Sequence, residues 1–204
     1  MSSELTTTEK LKNIRDAVLA LTASPLYEYR VSNGYLPVLG EGSHTAQVVF
    51  VGEAPGEKEA KTGRPFVGAA GKVLTGLLEG VGVSREDVYI ANLVKDRPPQ
   101  NRDPLPEEIA LYGPFLLQQL EVIRPTVVAT LGRFSLQYIL SQFGAPEAGQ
   151  TISSLHGVLI HVQAAWGEFT VMPLYHPAAA LYNPSLRVVE QEDMQKVFDI
   201  LKRT

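Results

Sequence analysis

Residues 47–68 read QVVFVGEAPGEKEAKTGRPFVG. A run of β-branched and aromatic residues halts at Gly52, and a loop of glycine, proline and carboxylates leads toward a helical pattern. The same grammar recurs along the chain. VYIANLV at 88–94 enters KDRPPQNRDP, TVVATLG at 126–132 enters a helix near Arg133, and FTVMPLYHP at 169–177 ends in His-Pro before AAALYNPS. Helical spacing of apolar residues fills the intervals at 11–23, 73–81 and 107–123, and again from Arg187 onward. Pro114 lies within the third of these and predicts a kink or a break there.

Strands alternating with helices specify a largely parallel sheet covered on both faces. The expected fold is α/β: a three-layer α/β/α sandwich around a central, mostly parallel four- to five-stranded sheet, in a single domain spanning residues 1–204. VLIHV at 158–162 is read as an added strand pairing with 169–174 around the AAWGE turn. Residues 1–7 are expected to fray. Ligands of such sheets bind beyond the carboxyl ends of the strands. Glu53, Phe66, Asn92, the basic loop and His176 should therefore gather on one rim.

Composition narrows the function classes. The chain is 45% hydrophobic and 20% charged, with net charge −4, which argues against coating nucleic acid by charge alone yet leaves room for a local basic patch. With no cysteine, a disulfide, a thiolate nucleophile and a cysteine-held iron–sulfur cluster are all excluded. No apolar run reaches membrane-spanning length and MSSELTTTEK does not read as a secretory signal, so a cytoplasmic location without membrane association is expected. The four histidines are dispersed without metal-binding spacing, and neither a metal nor a cofactor is expected. GAAGK at 68–72 fails the phosphate-loop spacing, and no GxSxG elbow is present.

The loops themselves carry chemistry. Gly52 and Gly56 allow close backbone approach to a ligand, while Glu53, Glu57 and Glu59 offer carboxylates for acid–base or water-positioning work. Phe66 sits in a Gly/Pro-framed turn where its face can stack on a planar ligand, or instead pack into the core. Asn92 can present a carbonyl and an amide to a base edge, or serve as a turn former. His176, held extended by Pro177, can donate to a developing anion, although a lone histidine is more often structural. His156 is a weaker candidate of the same kind. Lys95, Arg97 and Arg102 lie where a proline-stiffened rim would hold phosphates.

Together GEAPG, GRPFVG at 63–68, NLVK at 92–95, RPPQNR at 97–102, LG at 131–132 and HPAAAL at 176–181 resemble the uracil-DNA glycosylase superfamily. The match is specific to its family-four, iron–sulfur branch and covers roughly residues 20–202. The resemblance implies an enzyme of base-excision repair that flips uracil out of DNA and hydrolyses its N-glycosidic bond. It implies that Phe66 stacks on the base, Asn92 reads its Watson–Crick edge, and His176 bonds uracil O2 and stabilises the departing anion. Glu53 and Glu59 would line the pocket, the Ala54 backbone would contact the base, and Tyr182 would press into the duplex. The catalytic set implied is Glu53, Asn92 and His176; the partner is uracil-containing DNA, bound by a monomer.

This sequence departs from the family at several places. Its cluster cysteines correspond here to Leu21, Ser24, Asp96 and Tyr112, and packing or hydrogen bonds around Tyr27, Tyr29 and Tyr112 are expected to take over the stapling. Ala60 stands where the family commonly carries Asp. KDRPPQNRDP lacks the histidine through which a related branch traps abasic DNA, so no covalent trapping is expected. Two further readings stay open: a non-catalytic binder of uracil-containing or single-stranded DNA, and a hydrolase of small nucleotides.

Overall fold

The computed structural model describes residues 5–202. Along the chain run α1 (Thr7–Leu19), α2 (Tyr27–Ser32), β1 (Glu41–Gly42), β2 (Val48–Gly52), α3 (Glu57–Thr62), α4 (Ala69–Gly80) and β3 (Tyr89–Asn92). A one-turn 3₁₀ helix at Pro99–Asn101 precedes α5 (Pro106–Ile123), β4 (Val127–Leu131), α6 (Arg133–Gln142) and α7 (Ile152–Leu155). The chain closes through β5 (Ile160–Ala164), β6 (Gly167–Leu174), α8 (Ala179–Tyr182) and α9 (Leu186–Leu201).

The sheet order is β1-β3-β2-β4-β6-β5. Its four central strands are parallel, and both edges are antiparallel. The described residues thus form six strands rather than four or five. The extra one, β1, is a two-residue pairing of Glu41 and Gly42 with Ile90 and Tyr89, too short to leave an alternation in the sequence. β5 pairs with β6 around the expected turn.

Alternation along β2 shows why helices cover both faces. Val49 and Val51 pack with Val18, Leu116, Leu120 and Ile139 in one layer. Val48 and Phe50 pack with Leu74, Leu78, Met194 and Val197 in the other. Every β2 residue is buried, as a central parallel strand requires. The helix containing Pro114 runs unbroken from Pro106 to Ile123, so of the kink or break expected there the break does not occur. Residues 1–4 of the segment expected to fray lie outside the described residues. Within the rest of that segment, Thr6 forms a capping box with Glu9, and α1 starts at Thr7.

β2 leads to β3 on one side, whereas its other neighbour, β4, leads onward to β6. That reversal opens a crevice above the carboxyl ends of β2 and β4. The loops after Gly52, Asn92, Leu131 and Leu174 all leave the sheet at this end.

Candidate active site

A cleft of about 440 Å³ lies at that crevice. Glu53, Ala54, Glu59, Phe66, Asn92 and His176 line its wall, while Pro98, Asn101, Arg102 and Tyr182 form its rim. Register brings the first contacts together: Gly52 pairs with Asn92 across β2 and β3. A Cβ at Gly52 would stand 2.4 Å from Asn92 Oδ1 and 2.6 Å from Phe66 Cζ, so glycine there makes room for both side chains. Asn92 is 2% exposed, and its Oδ1 has no hydrogen-bond partner among the described residues. An unpaired buried acceptor is costly, and a ligand N–H entering the cleft would relieve that cost.

Phe66 adopts φ 51°, a left-handed conformation unusual for an aromatic residue. Its loop is clamped from both sides. Glu59 Oε1 accepts the N–H groups of Val67 at 2.9 Å and Gly68 at 2.7 Å, and the Arg85 guanidinium donates to the carbonyls of Pro65 and Phe66. One Glu59 oxygen is thereby committed to holding the loop. Gly71 allows α4 to approach, since a Cβ there would lie 1.8 Å from Phe66 O. The Phe66 ring then stands 5.8 Å from the His176 ring, tilted by 34°.

His176 Nδ1 accepts the Ala178 N–H at 3.2 Å. A neutral imidazole accepting at Nδ1 carries its proton on Nε2. Burial lowers the His176 pKa, keeping that neutral form at neutral pH. The site thus combines a neutral N–H donor at His176 with a bare carbonyl acceptor at Asn92. Glu53 is pushed up to about 7, by burial first and then by the negative charge of Asp103, while Arg133 acts in the opposite direction. Arg133 and Asp103 are themselves ion-paired.

The basic loop behaves differently from its sequence reading. Leu93 N–H donates to Gly52 O and Val94 N–H to Glu53 O, so the chain stays in the interior beyond β3. Lys95 is fully buried, with Nζ donating to Asn92 O at 2.7 Å and Gln119 Oε1 at 2.6 Å. It has no route to a phosphate, which corrects its expected place on the rim. Arg97 is also largely interior, donating to Asn101 Oδ1 and Tyr35 Oη. Arg102 is the member of the three that reaches the rim, and it does so while paired in two contacts with Glu108. Tyr182 is 88% exposed at the cleft mouth.

Arg85 and Gln119 also hold the site, though the sequence does not mark them. Arg85 lies 19 residues beyond the Phe66 carbonyl it holds, and Gln119 lies on a helix 24 residues beyond Lys95. Neither residue carries a local signal of those partnerships.

Lys95 also makes a measurable prediction. Burial pushes its pKa down to about 7. Between that value and the ordinary 10.5 the unfolded chain holds the extra proton, so this side chain makes folding more favourable as pH rises. A neutral amine still has two N–H groups for the two short bonds. Melting curves of Lys95→Met should lack the alkaline gain that the parent chain shows; parallel curves would refute it.

Residues 39–202 match the uracil DNA glycosylase superfamily. The chain belongs to this superfamily. Among similar proteins, the type-4 uracil-DNA glycosylase of Archaeoglobus fulgidus is 47% identical over 173 residues, covering 84% of each chain. That of Sulfurisphaera tokodaii is 43% identical over 94% of this chain and 85% of its own. That of Thermotoga maritima is 42% identical over 96% of both chains. Within this glycosylase-superfamily member, no described helix is long and apolar enough to cross a membrane.

Proposed function

We infer that this chain is a uracil-DNA glycosylase, which extrudes uracil from DNA and hydrolyses its N-glycosidic bond to leave an abasic site for base-excision repair. The observation that carries this reading is the buried Asn92 Oδ1, unpartnered among the described residues, in a cleft shared with Phe66 and the His176 donor. Uracil offers the complement: a flat face, an imide N–H and flanking carbonyl oxygens. Asn92 Oδ1 accepts the N3–H, Phe66 stacks on the ring, and His176 Nε2–H donates to O2. Ala54 contacts the base through its backbone.

Extruding the nucleotide costs a few kcal/mol, roughly what stacking and edge hydrogen bonds return. Cleavage places positive charge on the sugar and negative charge on uracil. The His176 donor is aimed at the anion before it forms, avoiding reorganisation during the reaction. Glu53, once ionised, stabilises the sugar cation and orients water. The water oxygen bonds C1′ as the C1′–N1 bond breaks, and its surplus proton leaves for Glu53 or solvent. Arg102 and Tyr182 engage the strand outside the pocket.

The test is alkali-labile cleavage of a uracil-containing oligonucleotide. Strand product is expected from the uracil substrate and not from its thymine counterpart. DNA retention without product in every buffer would overturn the enzymatic reading. Gly52→Ala offers an internal check, because its methyl would displace both Asn92 and Phe66. It should cost about 1–3 kcal/mol of stability and about 100-fold in single-turnover rate.

A further inference from the structure

The superfamily resemblance assigns an iron–sulfur cluster to positions held here by Leu21, Ser24, Asp96 and Tyr112. The residues present do not fit one. They provide an alkyl group, a hydroxyl, a carboxylate and a phenol, where such clusters take thiolates. The oxygens are also already committed. Tyr112 Oη lies 2.6 Å from Ser24 Oγ and 2.7 Å from Asp96 Oδ2, all within the protein interior.

Proton bookkeeping orders this chain of contacts. A carboxylate only accepts, so Tyr112 gives its single proton to Asp96 and accepts from the Ser24 hydroxyl. Ser24 Oγ in turn accepts the Leu26 N–H at 3.1 Å. The other Asp96 oxygen takes a hydrogen bond from Arg30 at 3.3 Å. Arg30 continues to the carbonyls of Val18 and Leu19 at the end of α1, where a cation suits the helix terminus. Five segments meet in this network: the end of α1, the turn at Ser24, α2 through Arg30, α5 through Tyr112, and the start of the basic loop.

We propose that Ser24, Arg30, Asp96 and Tyr112 form a metal-free cross-link that positions the rim of the DNA-binding cleft. Asp96 sits between Lys95, tied to the Asn92 carbonyl, and Arg97, tied to Asn101 and Tyr35. The rim residues Pro98, Asn101 and Arg102 follow directly. Gln100 and Asn101 are held at φ 58° and 54°, and such strained turns persist only between fixed flanks. Releasing Asp96 would free one of those flanks. These are positioning residues; none of the four lines the cleft.

The proposal rests on the glycosylase reading for its kinetic arm and is independent of it for its structural arm. Tyr112→Phe in the full chain keeps the ring and deletes the phenol. Amide exchange over residues 93–104 should accelerate about tenfold with little change in the strands. KM for a uracil oligonucleotide should rise about tenfold while kcat stays within about twofold. Ser24→Ala should give a smaller change at the same amides, and stands in if the first variant fails to fold. An iron chelator should leave the melting temperature of the parent chain unchanged. Unchanged exchange in the folded variant, acceleration spread evenly over the chain, a loss confined to kcat, or stoichiometric iron in the purified protein would each overturn the cross-link. Exchange requires no turnover, so failure of the parent chain to excise uracil would defeat the glycosylase reading and leave the exchange result standing.

Discussion

His176→Ala is expected to slow the chemical step about 100- to 1,000-fold while binding to abasic product changes by less than about threefold. The asymmetry follows from where the donor acts. Uracil O2 is a weak acceptor in the intact nucleotide and a strong one as the N-glycosidic bond breaks, so a bond donated by His176 would strengthen with the reaction. Abasic product lacks the base and makes no such bond. Burial holds His176 neutral and Ala178 fixes the tautomer, so no proton has to move before donation. Single-turnover cleavage alongside abasic-site affinity separates the alternatives; equal losses in both would contradict the assignment.

Glu53→Gln should reduce kcat/KM by about 10²–10⁴, the range for a lost acid–base group, and should also change the shape of the pH profile. The Glu53 carboxyl, pushed up to about 7, is half ionised near neutrality. If the carboxylate is the working form, kcat/KM of the parent chain rises with pH through about 7 and then levels. Glutamine has no proton to lose, so this limb should vanish. Asp103→Asn removes the charge that helps raise the Glu53 pKa, and should move the limb to lower pH. Stability runs the opposite way. The folded chain holds the proton between the ordinary 4.5 and about 7, so folding becomes less favourable as pH rises through that window. Glu53→Gln should therefore melt higher than the parent above pH 7, relative to their difference in acid, because the ionised Glu53 carboxylate is a cost to the fold. A rate–pH profile retained in the glutamine variant would remove Glu53 from the reaction.

Local chemistry explains what could be read without coordinates. Period-two and period-3.6 patterns record which residues face a core, and they marked the parallel strands and the main helices because burial selects residue types one position at a time. Topology then required the loops after Gly52, Asn92 and Leu174 to share a rim, and the cleft does bring Glu53, Phe66, Asn92 and His176 together. The same reading failed where partners are distant. Lys95 and Arg97 look like surface cations within a proline-rich loop, but the backbone bonds of Leu93 and Val94 draw that loop inward. Pro114 predicts a kink or a break, and α5 passes through it without breaking, packed against α1 and the sheet by Tyr112, Leu116 and Leu120.

The sequence by itself determined the layered α/β architecture, the rim on which the loops converge, and the absence of cysteine chemistry. Only the tertiary structure decided which polar groups are spent on the fold and which remain available to a ligand. Ser24 and Tyr112 lie 88 residues apart, and Arg30 and Asp96 lie 66 apart. No local pattern announces that these four close one network, because hydrogen bonds depend on distance and direction between atoms rather than on the spacing of residues along the chain.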